Sequence, residues 1–77
     1  MKEIVYYEDI DSPDTIVRKI PETFELEYIS KGDPVWVKTR PNSPYERELY
    51  FGEGNNCLYN IPYEEAKKRL HQWGVEI

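Results

Sequence analysis

Residues 23–29 alternate between apolar and acidic side chains, and this pattern constrains the fold more than any other feature of the sequence. Phe24, Leu26 and Tyr28 occupy every second position, with Glu25 and Glu27 between them. A period of two places the apolar side chains on one face of a β-strand and the carboxylates on the other. A strand that is half buried in this way is typical of an antiparallel sheet, so we expect one here.

A second strand is predicted over residues 34–39, after a turn at residues 30–33 in which Gly32 is available for a positive φ. A four-residue hairpin loop sets a register with apolar pairs on one face of the sheet and a charge ladder on the other. A two-residue turn at residues 21–22 adds the preceding strand to this ladder. The predicted pairs are Tyr28 with Val35, Leu26 with Val37, Glu27 with Trp36, Glu25 with Lys38, and Arg18 with Glu25.

The rest of the chain also favours strands, because it contains one alanine against seven tyrosines, seven isoleucines and five valines. Further strands are predicted at residues 3–7, 15–20 and 46–51, with a short extended piece at 57–59 and a final short strand at 75–77. Residues 8–14 and 40–44 carry the prolines and polar residues of loops, and residues 52–56 carry those of a turn.

One helix is predicted, over residues 62–73, and Gly74 is its stop signal. Its apolar stripe consists of Tyr63, Ala66, Leu70 and Trp73. We therefore expect an α+β fold: a small twisted antiparallel sheet of four to five strands with one C-terminal helix packed on it. The predicted core consists of Phe24, Leu26, Val37, Leu49, Leu70 and Trp73.

Length and charge limit the classes of function. The 77 residues suit a single domain over residues 1–77, and the formal net charge of -5 argues against nonspecific binding to nucleic acid or to anionic membranes. No apolar run approaches the roughly 18 residues of a membrane span, and acidic residues interrupt the first segment, so we expect no signal peptide. Cys57 is the single cysteine, which precludes an internal disulfide and fits a cytoplasmic protein.

Few residues are candidates for catalysis or metal binding. Cys57 and His71 are the only thiol and imidazole, and neither has a charged activating neighbour in the sequence, so we expect no catalytic pair. Asp9, Asp11 and Asp14 offer oxygen ligands for a cation, but the segment lacks the glycine and terminal glutamate of an EF-hand loop. Its composition favours a solvated turn, so neither a metal nor another cofactor is predicted.

The predicted binding residues are Trp36, Lys38, Arg40, Tyr45 and Arg47. The first three lie at every second position, and the last two follow the proline-containing loop after them. An outward tryptophan beside arginine and lysine is the composition of an interface hot spot, and it equally suits stacking on a base and pairing with a phosphate. The alternative is a structural role, with the cations in a ladder with neighbouring glutamates and the indole covered by another element.

Part of the sequence resembles short uncharacterised proteins of phages and mobile elements in Gram-positive bacteria. The resemblance rests on Tyr6-Tyr7-Glu8-Asp9-Ile10-Asp11-Ser12-Pro13-Asp14-Thr15-Ile16-Val17-Arg18, with Trp36-Val37 and Glu64-Glu65-Ala66. It implies a genomic setting in which small acidic proteins block host defence, including anti-CRISPR proteins and proteins that sequester signalling nucleotides. A phage-encoded chain would then act in the cytoplasm of the host cell.

The leading hypothesis is therefore a non-enzymatic acidic binding protein that inhibits a host defence protein, in the manner of an anti-CRISPR. Its negative charge would steer it towards basic clefts of its partner. The alternative is a nucleotide-sequestering protein that acts against cyclic-nucleotide defence signalling, and a second alternative is a small hydrolase or metal-binding protein. The oligomeric state is left open.

Overall fold

Five strands form one antiparallel sheet in the computed structural model, which describes residues 4–21, 25–40, 43–51 and 57–77. The elements in chain order are β1 Val5–Asp9, β2 Ser12–Ile20, β3 Glu25–Ser30, β4 Asp33–Lys38, α1 Pro44–Phe51, β5 Leu58–Ile61 and α2 Tyr63–Gln72. The strands lie side by side in the order β4-β3-β2-β1-β5. The predicted α+β fold, with an antiparallel sheet and a C-terminal helix, is confirmed. Neither helix is long and apolar enough to cross a membrane.

The register between β3 and β4 differs from the prediction by two residues. Ser30 pairs with Asp33 across a turn at residues 31–32, but an irregularity then shifts the ladder, so that Tyr28 pairs with Val37 and Glu27 with Lys38. The β2–β3 register is also two residues off. The observed pairs there include Arg18 with Glu27 and Ile20 with Glu25. A shift of two leaves every side chain on its predicted face, which is why the alternation could not reveal it.

Residues 44–51 form a helix, so the predicted strand at residues 46–51 is wrong. Pro44 suits the first turn of α1, and the Ser43 hydroxyl oxygen accepts a hydrogen bond from the Glu46 backbone N–H at 3.3 Å. Ser43 and Glu46 have the spacing of a capping box, a signal that the sequence carries and the strand prediction ignored. The alternation of Leu49 and Phe51 favoured a strand, but the hydrogen-bonded cap of the first turn stabilises a helix in this segment.

The structure differs from three other predictions. The predicted loop at residues 8–14 lies mostly in β1 and β2, because these strands pair up to Asp9 and Ser12 and leave a turn of two residues. Residues 75–77 form no strand, and Gly32 does not adopt a positive φ. Gly74 does, with φ 83°, and its N–H donates to the His71 carbonyl at 3.1 Å. The Val75 N–H donates to the Leu70 carbonyl at 2.8 Å, which completes a Schellman motif at the end of α2.

The sheet buries side chains on both of its faces. We call the face that packs against α2 the α2 face; its buried core consists of Tyr6, Ile16, Ile29, Ile61, Ala66 and Leu70. The opposite face, which we call the α1 face, buries Val17, Leu26 and Leu58. The predicted single core is therefore wrong, because Leu26 and Leu70 lie on opposite sides of the sheet. Val37 is exposed and Leu49 half-buried, while Phe24 lies outside the described residues.

Candidate binding cleft

An open cleft of about 790 Å³ lies between the start of α1 and the α1 face of the sheet. Tyr28 and Val37 contribute its wall from β3 and β4, and Tyr45 contributes from α1. The rings of Tyr28 and Tyr45 are 6.2 Å apart between centroids and inclined at 56°. This arrangement gives the cleft an aromatic wall on which a flat apolar group can pack.

Tyr45 is held in place by Asp9 at the end of β1. The Tyr45 hydroxyl donates to the Asp9 Oδ2 atom at 2.8 Å, while Asp9 Oδ1 accepts the backbone N–H of Asp11 at 2.9 Å. Burial, followed by the hydrogen bond to Asp9, raises the pKa of Tyr45 well above its ordinary value. The phenol therefore stays protonated at neutral pH, and the buried Asp9 carboxylate links the β1–β2 turn to α1.

Glu48 joins α1 to the beginning of β5. Its carboxylate accepts the backbone N–H of Cys57 at 3.0 Å and that of Leu58 at 2.7 Å. The Cys57 thiol also donates to Glu48, with the sulfur 3.4 Å from the oxygen. Burial and this hydrogen bond raise the pKa of Cys57 to about 11. At neutral pH Cys57 is therefore a thiol rather than a thiolate nucleophile.

The structure does not bring Cys57 and His71 together. Cys57 lines the cleft on the α1 face, whereas His71 is exposed on α2, which packs against the other face. Potential ligand atoms of Asp9, Asp11 and Cys57 lie within 4.8 Å of one another. Asp9 also accepts two hydrogen bonds, from the Tyr45 hydroxyl and from the Asp11 N–H. Asp14 is exposed in β2 and does not belong to this group.

The predicted binding residues are divided between the two faces. Trp36 is half-buried and packs against the core on the α2 face, where the Arg18 guanidinium lies 3.9 Å from the centroid of its ring. The Arg18 Nε atom donates to Glu27 at 2.7 Å, so this cation is already paired. The indole and its cation thus form part of the packing under α2, and Trp36 takes no part in the cleft.

Lys38, Arg40 and Tyr45 line the cleft, whereas Arg47 is exposed on α1 and does not. Lys38 borders the cleft, but its side chain lies on the α2 face, where the ammonium forms an ion pair with Glu25 at 2.8 Å that raises the pKa of Lys38. Arg40 is exposed at the margin of the cleft, and its carbonyl accepts the Ser43 N–H at 3.1 Å. Two of the five predicted residues, Arg40 and Tyr45, therefore contribute side chains to the cleft.

Sequence reasoning missed several cleft residues. Tyr28 was placed on the apolar face of its strand but not in a site, and Thr39 and Ser43 were assigned no role. Thr39 is buried, and its hydroxyl donates a hydrogen bond to the Glu46 carboxylate at 3.0 Å. Its backbone N–H donates to the Leu26 carbonyl at 2.9 Å, so Thr39 joins β3 to α1. The capping signal at Ser43 would have predicted α1 and with it a second covered face of the sheet.

Comparison with known proteins found no matching family model, no matching curated protein and no matching solved structure.

Proposed function

We propose that this chain binds a nucleotide in the cleft and holds it without chemical change. The observation that carries the proposal is the tyrosine wall of Tyr28 and Tyr45, which has the Arg40 cation on one side and the carboxylates of Asp9 and Asp11 on the other. A nucleotide presents the complementary groups: an anionic phosphate, a flat base and hydrogen-bond donors on the edge of that base.

The phosphate would bind beside Arg40. A guanidinium offers five donors and pairs with phosphate through two parallel hydrogen bonds. The Ser43 hydroxyl oxygen accepts from Glu46, which leaves its own proton available for a ligand oxygen. Both residues line the cleft, so two donors of suitable chemistry lie at the same margin.

The base would stack on the tyrosine rings. Stacking of a base on an aromatic side chain contributes about 1–3 kcal/mol and suits every base, because each one has a π-face. The cleft volume of about 790 Å³ lies within the roughly 300–1,000 Å³ of small-molecule sites. A small chain can offer this volume because the cleft is open and is not enclosed by a core.

Binding without turnover is supported by the state of the nearest nucleophile. The pKa of Cys57 is raised to about 11, so only a very small fraction is thiolate at neutral pH, and the only imidazole lies on the other helix. Sequestration of a signalling nucleotide is the role that agrees with the resemblance to phage and mobile-element proteins.

Isothermal calorimetry against a panel of linear and cyclic nucleotides tests the proposal. We expect saturable heat for at least one nucleotide and at least a tenfold loss of affinity in Arg40→Gln. Arg47→Gln is the matched control, since it removes the same charge from an exposed position outside the cleft, and its affinity should stay within about twofold of the wild type. A flat panel, or equal losses in both variants, would contradict a nucleotide site in the cleft.

A second candidate function is inhibition of a host defence protein, as the sequence first suggested. The observation that favours it is the edge strand β4, where Val35 is 60% and Val37 40% exposed on a chain of net charge -5. Exposed apolar side chains on an acidic protein suit a partner with a basic, partly apolar surface. A host protein retained by the wild type and lost in Val35→Lys, with nucleotide binding unchanged, would support this function. Equal retention by both proteins would contradict it.

A further inference from the structure

The two margins of the cleft carry opposite charge, and the sheet sets the distance between them. Arg40 follows β4, whereas Asp9 ends β1, and the strand order β4-β3-β2-β1 separates these strands by three spacings. At about 4.8 Å per spacing, β4 and β1 lie about 14 Å apart across the sheet. Arg40 and Asp9 also lie towards opposite ends of the strands, because Lys38 is level with Tyr6 whereas Asp9 pairs with Ser12. Tyr28 projects from β3, between them. A ligand that fills the cleft therefore has a defined direction.

The acidic margin is built to accept hydrogen bonds. Asp11 is exposed and lines the cleft, and its backbone is held by the hydrogen bond from its N–H to Asp9. The Ile10 N–H donates to the Cys57 carbonyl at 2.9 Å, which fixes the same turn against the chain entering β5. An ionised carboxylate only accepts hydrogen bonds, and its two oxygens can take two parallel donors. The Asp11 carboxylate thus offers a pair of acceptors at one end of the cleft.

The bases differ in what they offer to such a pair. Guanine presents two adjacent donors, the ring N1–H and the exocyclic amino group, at the spacing of the two carboxylate oxygens. Adenine and cytosine each place a single amino donor beside an acceptor nitrogen, and uracil flanks its one N–H with two carbonyl acceptors. A carboxylate therefore pairs fully with guanine, and with the other bases it meets a repulsive acceptor or lacks a second donor.

We infer that the cleft is selective for guanine nucleotides, with the base edge on Asp11, the ring against Tyr28 and Tyr45, and the phosphate at Arg40. The inference rests on the proposed nucleotide-binding function and adds the base identity and the orientation of the ligand. The same carboxylate would repel a phosphate, which excludes the reversed orientation.

Calorimetry with guanosine, inosine and adenosine 5′-monophosphates tests the selectivity on the wild-type protein. Inosine keeps the ring N1–H and lacks the exocyclic amino group. The difference in affinity between guanosine and inosine monophosphates therefore measures the contribution of that amino group. We expect guanosine monophosphate to bind at least tenfold more tightly than adenosine monophosphate, with inosine monophosphate between them. Equal affinity for guanosine and adenosine monophosphates would overturn the base assignment and leave the nucleotide-binding proposal in place. Failure of every nucleotide to bind would overturn both.

A pair of variants tests the role of Asp11. Asp11→Asn should reduce the affinity for guanosine monophosphate at least tenfold and leave that for adenosine monophosphate within about twofold, because the amide offers only one acceptor. Asp14→Asn is the matched control, as it removes the same charge from an exposed residue outside the cleft. The thermal melting curve of each variant reports whether it is folded. If Asp11→Asn kept the full preference for guanine, the assignment of Asp11 would be wrong.

Discussion

The two faces of the sheet are covered by helices of different character. On the α2 face, apolar side chains from four strands and from α2 form a continuous buried core, and the Schellman motif closes the helix onto it. On the α1 face, the eight-residue α1 is held by polar contacts: Tyr45 to Asp9, Glu46 to Thr39 and Glu48 to the start of β5. Dense apolar packing excludes a ligand, whereas a short helix held at a few polar points leaves a cleft beside it.

This contrast assigns different roles to the helices. Burial of the α2 face supplies the non-directional stabilisation that a small domain needs. The polar contacts of α1 contribute less free energy, but they are directional and set where the aromatic and charged side chains stand. We expect substitutions on the α2 face to change stability, and substitutions on the α1 face to change the geometry of the cleft.

The largest expected effect is that of Leu70→Ala on the α2 face. Leu70 is fully buried, so the truncation should lower the free energy of unfolding by about 2–5 kcal/mol. Urea denaturation measures this loss, and ligand affinity of the folded protein should stay unchanged. Ile10→Ala is the control, because Ile10 is 49% exposed and should cost less than about 0.5 kcal/mol. A loss in Leu70→Ala no larger than in Ile10→Ala would contradict the two-face description.

Glu48→Ala should be the most destabilising polar change on the α1 face. It removes the acceptor for the N–H groups of Cys57 and Leu58, and we expect a loss of about 1–3 kcal/mol in the free energy of unfolding. Glu76→Ala removes the same charge from an exposed position and controls for net charge. If both variants unfolded at the same denaturant concentration, Glu48 would not hold α1 to β5.

Alkaline pH should weaken the α1 face through Cys57. The pKa of its thiol is raised by burial from an ordinary value of 9.0 to about 11 in the folded protein. The folded state thus holds this proton more tightly, so the stabilisation is complete below pH 9 and is lost as the pH rises through 11. In urea unfolding, the wild type should lose stability relative to Cys57→Ser across this window. Parallel pH profiles of the two proteins would show that Cys57 is not coupled to folding.

The smallest effect is expected from the charge ladder on the α2 face. The ion pair of Lys38 with Glu25 is solvent-exposed, where screening and the entropy of two long side chains offset the attraction. Lys38→Gln should therefore leave the melting temperature unchanged, at low salt and at high salt alike. A clear drop at low salt that disappears at high salt would mean that this pair contributes to folding.

The sheet and the C-terminal helix follow from the sequence. The period-two pattern of β3 and the apolar stripe of α2, with Gly74 after it, are local signals that predict an antiparallel sheet and a C-terminal helix. Tertiary structure decided the register, because a shift of two residues preserves the face of every side chain and only the chain geometry at the turns selects one pairing.

The cleft depended on tertiary structure more strongly than the sheet and α2 did. Residues 44–51 carry both a helix cap at Ser43 and a strand-like alternation, and the contacts of Glu48 and Tyr45 with β5 and β1 act only in the folded chain. The sequence grouped Arg40 and Tyr45 in one predicted site, and both line the cleft. It could not say which face each helix covers, because β1 and β2 carry apolar side chains on both faces. The position of α2 decided that Trp36 packs in the core, and the position of α1 decided that Arg40 and Tyr45 face a cleft.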